Sequence, residues 1–174
     1  MAVQGIDFAN LSLMDALDLA ILIEDEAQER YEDFAAQMEQ HRTPEAAKFF
    51  RYMVENEAKH ARELTARRIH RFGDAPRTVT RAMIFDVEAP DYDAARAFMS
   101  PRKAMEAALA AELKAHAFFV SSLPTLKDPE VRALFEDLRD EELEHQQLVQ
   151  AELYKLRPET GLSDDDFVDE PTAQ

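Results

Sequence analysis

Two short segments of the chain place a glutamate three residues before a histidine, Glu57-x-x-His60 and Glu142-x-x-His145. At that spacing on an α-helix two side chains lie about 60° apart around the axis and roughly 4.5 Å along it, so both can address one ion. Carboxylate and imidazole together suit Mn(II), Fe(II), Co(II) or Zn(II). A single Glu-x-x-His arises easily by chance in a Glu-rich helix, but here both examples interrupt an apolar stripe. His41, His70 and His116 have Met38, Arg67 and Leu113 at the same offset and make no such pair.

Two further glutamates stand in comparable stripes. Glu24-x-x-Ala27-x-x-x-Tyr31 is answered by Glu112-x-x-Ala115-x-x-x-Phe119, and the Glu-x-x-His pairs follow these glutamates at intervals of 33 and 30 residues. Two helix pairs related by a pseudo-twofold axis would bring Glu24, Glu57, His60, Glu112, Glu142 and His145 to one level of a bundle. A buried, unpaired carboxylate costs several kcal/mol or takes up a proton. Four carboxylates facing two divalent cations match them in formal charge, which removes that objection. Tyr31 lies two turns from Glu24; it is either a core aromatic or a supporting partner whose hydroxyl reaches a carboxylate on another helix. The scattered Met38, Met53, Met83, Met99 and Met105 read as packing, not as a thioether site.

The elements that must position these groups are legible. Thr43-Pro44, Ser100-Pro101 and Asp128-Pro129 each set a capping side chain before a proline at the first helical position. Ser12, with Asp15 three residues on, opens another helix. Gly73 and Pro158 mark two ends. The spacing predicts helices over 12–40, 44–72, 101–122 and 129–157. In the first, Leu13, Leu17, Ala20, Glu24, Ala27, Tyr31, Phe34 and Met38 keep a 4-3-4-3 rhythm, the buried stripe of a bundle. The third repeats it with Met105, Ala108, Glu112, Ala115 and Phe119. The second carries Phe50 or Phe49, Met53, Glu57, His60 and Leu64, and the fourth Val131, Phe135, Leu138, Glu142, His145 and Val149. An all-α four-helix bundle follows, with a long crossover, Asp74 to Met99, between the second and third helices and a short helix expected at 93–99.

Composition narrows the partners. One domain over 1–157 is expected, followed by an acidic tail over 158–174, rich in Asp164, Asp165 and Asp166, that has little to bury. With 20 basic against 36 acidic residues, the net charge of −16 opposes binding to nucleic acid. The absence of cysteine excludes disulfides, iron–sulfur clusters and thiolate sites. The first residues lack the pattern of a signal peptide, and nowhere do 18 apolar residues run together, so no membrane association and a cytoplasmic location are expected.

Taken as a set, Glu24 with Ala27 and Tyr31, Glu57-x-x-His60, Glu112 and Glu142-x-x-His145 resemble the rubrerythrins and their ferritin and bacterioferritin relatives over residues 12 to 155. The resemblance implies a ferritin-like bundle holding two iron ions, with Mn or Zn as possible occupants. Glu24 and Glu112 would be single-helix ligands, Glu57 and Glu142 the carboxylates that include the bridging ones, and His60 and His145 terminal imidazoles. It implies oxidation of Fe(II) by peroxide or oxygen, of the ferroxidase or peroxidase type, serving iron handling or defence against oxidative stress. Rubrerythrins proper also carry a cysteine-ligated rubredoxin domain that delivers electrons; a chain without cysteine must draw on an external donor. The family's peroxidases have an extra glutamate one turn from the third-helix ligand, whereas Glu112 has Leu109 and Ala115 for neighbours, which favours the ferroxidase side. The relatives form dimers or larger shells, and a homodimer is expected. The alternative is an iron-binding or iron-sensing module that loads and releases metal without repeated turnover.

Overall fold

The computed structural model describes residues 6–88 and 100–156. Its helices are α1 (Leu13–Gln40), α2 (Pro44–Phe72), α3 (Arg81–Glu88), α4 (Pro101–Ser122) and α5 (Pro129–Lys155), with 3-10 turns at Phe8–Asn10 and Leu123–Thr125. The four long ones agree closely with the sequence reading. Their starts are fixed by side chains that satisfy orphan backbone donors. Ser12 Oγ accepts from the Asp15 N–H at 3.1 Å and donates to the Asp15 carboxylate at 2.7 Å. Asp128 accepts from the N–H groups of Glu130 and Val131, and Ser100 from that of Lys103. Thr43 departs from expectation: its hydroxyl donates to the Met38 carbonyl at 3.0 Å and makes no cap for α2. Its backbone is not in the extended conformation of Ser12, Ser100 and Asp128, so the side chain turns back onto α1. Gly73, at φ 57°, ends α2 with its N–H on the Ile69 carbonyl.

Short connections fold α1 onto α2 and α4 onto α5 as two hairpins. The core they enclose is divided. One apolar cluster gathers Leu13, Leu17, Ala20, Leu64, Phe119, Val131, Phe135 and Leu138. The other gathers Tyr31, Phe34, Met38, Phe50, Met53, Met105, Ala108 and Val149. Phe50, not Phe49, is the wholly buried member of its pair and stacks on Tyr31. Between the two clusters, in sequence on every long helix, stand the polar residues of the stripes.

The crossover differs from the expectation in one respect. The structure has a helix at Arg81–Glu88, which the sequence reading did not place. The expected helix at 93–99 and the acidic tail over 158–174 lie outside the described residues. α3 packs on α1 and α4, and with Val79 and Ile84 it covers the outer side of α1. This explains why every residue from Ala16 to Glu24 is buried instead of a single stripe. Eight residues give too few repeats for a periodic signal.

A buried ion pair anchors the crossover. Asp18, wholly buried, accepts two hydrogen bonds from Arg68, at 2.7 and 3.1 Å. The same guanidinium donates to the carbonyls of Gly73 and Ala75, and Arg77 approaches Asp18 at 3.2 Å. Asp18→Ala would leave Arg68 buried and short of its counter-charge, a loss of about 3 kcal/mol. Urea unfolding of the variant should show that loss; a change below about 1 kcal/mol would mean the clamp is not structural.

Candidate metal centre

The polar layer is assembled by helix phase alone. Glu24 and Glu112 occupy stripe positions on α1 and α4, and each Glu-x-x-His pair presents two side chains from one face of α2 or α5. Glu24, Glu57, Glu112, Glu142 and His145 are buried, and His60 is partly so. All six residues singled out from the sequence converge.

Their contacts follow the internal repeat. His60 Nδ1 lies 3.6 Å from Glu24 within one hairpin, and His145 Nδ1 lies 3.5 Å from Glu112 within the other. His145 is also 3.3 Å from Glu57, across the hairpins. The two imidazole rings stack with centroids 5.4 Å apart and planes 9° from parallel. Potential ligand atoms fall into three overlapping sets, each within 4.8 Å: Glu57, His60 and His145; Glu112, Glu142 and His145; Glu24, His60 and Glu141.

The electrostatics are those of a site short of positive charge. Burial works to raise the Glu112 carboxyl, but hydrogen bonds with His145, Glu142 and Tyr31, and the charge of His145, hold it below the ordinary carboxylate range. Glu24 raises the His60 imidazole above its ordinary value, against the effect of burial. Buried His60 Nδ1 has no hydrogen-bond partner among the described residues, the Glu24 oxygen standing 3.6 Å away. Buried carboxylates gathered on one level and an imidazole facing acids at non-bonding distance both fit cations of the hard, oxygen- and nitrogen-loving kind.

Tyr31, wholly buried, donates its hydroxyl to Glu112 Oε1 on α4. Burial, with the nearby Glu112 and Glu57, pushes its phenol well above the ordinary value, so it remains a donor at any physiological pH. Phe119, at the corresponding point of the repeat, has no hydroxyl; it packs edge-on against Phe135. Ala115, one turn beyond Glu112, is buried and adds no ligand.

Two contributors were not anticipated. Glu141 comes within 3.9 Å of His60 Nδ1, and burial raises its carboxyl. It lies off the apolar stripe in the run Asp140-Glu141-Glu142, where nothing in the pattern separates it from surface charge. Gln146 donates to the Glu112 backbone carbonyl at 3.2 Å and ties α5 to α4 beside the layer.

Comparison with known proteins agrees with this geometry. The family model described as Rubrerythrin matches residues 15–153. The crystal structure of an uncharacterized conserved protein from Magnetospirillum magnetotacticum is similar, with 26% identity and a TM-score of 0.73, over 86% of this chain and 99% of that one. No curated protein matches. Among the described residues no helix is long and apolar enough to cross a membrane. A bundle matched by that model along nearly the whole of its long helices, with its carboxylates and imidazoles gathered in one layer, makes this chain a member of the rubrerythrin family, with a ferritin-like fold.

Proposed function

We propose that the polar layer is a dinuclear iron centre and that the protein oxidises Fe(II) with peroxide or oxygen. Glu24, Glu57, His60, Glu112, Glu142 and His145 would hold the two ions. The convergence of four carboxylates and two imidazoles between two apolar clusters carries this reading. Two Fe(II) ions held there would supply one electron each, enough to break the O–O bond of peroxide and, with two protons, give two waters.

The chain's own residues prepare that chemistry. Glu24 with His60, and Glu112 with His145, offer corresponding ends; Glu57 reaches from the His60 helix to His145, and Glu142 stands beside Glu112 and His145. Tyr31 fixes one oxygen of Glu112 and leaves the other facing His145. The aromatic and aliphatic side chains on both sides exclude water and keep the local dielectric low, which strengthens every charge interaction in the layer.

Anaerobic titration should find two Fe(II) per chain. Glu57→Ala combined with Glu142→Ala should lower affinity by more than the roughly 10–100-fold typical of losing a mere supporting partner, and abolish oxidation. Unchanged Fe(II) oxidation in that variant would sink the proposal.

Binding must also displace a proton. The one favoured on His60 competes with metal. The His60–Glu24 pairing stabilises the metal-free chain below the ordinary histidine value and is lost as pH rises through the raised one. Affinity should therefore weaken as pH falls through that range, with acid released on loading in dilute buffer; an affinity independent of pH would contradict these assignments.

Tyr31→Phe tests a supporting role against simple packing. It should keep the two-metal stoichiometry and weaken affinity by about 10–100-fold. Equal affinity in the variant would make Tyr31 a core aromatic only.

A further inference from the structure

The polar layer is sealed along the bundle axis by the two apolar clusters, so an ion must approach from the side. A cleft of about 170 Å³ opens between α2 and α5, with His60 in its wall. At roughly 30 Å³ per water it has room for about five, enough for a partly hydrated ion. α2 lines it with His60, Glu63, Leu64 and Arg67, and α5 with Leu134, Asp137, Leu138 and Glu141. Three carboxylates face one guanidinium, so the mouth is acidic, although Lys59 approaches Glu63 at 3.8 Å from outside.

The donors that lead inward from this cleft are graded in depth. The Glu141 side chain is 40% exposed, His60 16% and Glu24 4%. Their ligand atoms lie within 4.8 Å of one another. His60 Nδ1 sits between the two carboxylates, 3.9 Å from Glu141 and 3.6 Å from Glu24. An ion held first by Glu141 could thus gain His60 and Glu24 as it gives up water, and pass inward without ever being left unligated. The pseudo-twofold repeat does not account for Glu141, since the contact is with the imidazole of the other hairpin and Glu142, not Glu141, occupies the stripe.

We propose that the α2–α5 cleft is the route by which divalent cations reach the centre, with Glu141 as the ligand that captures them from solvent and relays them to His60 and Glu24. This rests on the dinuclear reading above. Glu63 and Asp137 raise the local concentration of cations at the mouth, where a field of one sign speeds association and salt suppresses it.

Stopped-flow mixing of the full chain with Co(II), followed by the visible absorption of the bound ion, tests the route without any redox step. Glu141→Gln should slow loading by about tenfold or more while final stoichiometry stays at two per chain. Asp137→Lys should slow loading at low salt and lose its effect at high salt; Glu55→Gln, an exposed acid outside the cleft, should load like the unmodified chain. If the unmodified chain takes up two Co(II) and Glu141→Gln loads at the same rate, the route is overturned and the dinuclear reading stands. If the unmodified chain takes up none, both fall.

Discussion

Four carboxylates in the dry middle of a bundle repel one another, and the arrangement of the whole chain accommodates that repulsion. The other buried acid of the described core, Asp18, has its own guanidinium. Glu24, Glu57, Glu112 and Glu142 stand chiefly around two imidazoles and the Tyr31 hydroxyl. The apolar residues are accordingly split into two clusters, one on each side, that hold the helices in register while the layer between them stays polar. A layer of this composition contributes little to folding by itself and is intelligible as a place for cations.

The internal repeat gives the layer near-equal ends, and departures from the repeat give it direction. His60 with Glu24 and His145 with Glu112 are matched at 3.6 and 3.5 Å. Tyr31 holds Glu112, but Phe119 offers nothing equivalent at the other end. His60 lies in the wall of a cleft and has Glu141 beside it, while His145 is buried among Glu57, Glu112 and Glu142. One end of the layer is therefore braced and closed, and the other faces solvent through acids. That division is the basis for proposing separate tasks for the two ends, binding firmly and admitting ions.

Helix positions and the convergence of the six residues were legible because both rest on local rules. Proline after a capping residue fixes where a helix starts, and an apolar stripe with one acidic interruption shows which glutamates must face inward. Tyr31 could be placed on the right face, but its partner depended on how α1 meets α4. Glu141, the Arg68–Asp18 clamp and α3 were not legible. Glu141 and Asp18 lie off the stripes, and their burial follows from neighbours far away in sequence: Glu141 from the meeting of α2 and α5, Asp18 from the crossover folding over α1. Thr43 has the sequence of a cap but not the backbone of one. Local patterns identify what a helix offers to its interior, whereas contacts between hairpins decide what the offered groups do.

A pair of metal ions held in the polar layer would be visible in a crystal. Anomalous X-ray scattering at the iron edge, from crystals loaded anaerobically with Fe(II), tests for that pair most directly. Two anomalous peaks are expected between α1, α2, α4 and α5, one within about 2.0–2.2 Å of a His60 nitrogen and the other similarly placed at His145, distances typical of first-row divalent ions. Iron found only on the acidic surface, with the layer empty, would contradict the dinuclear reading.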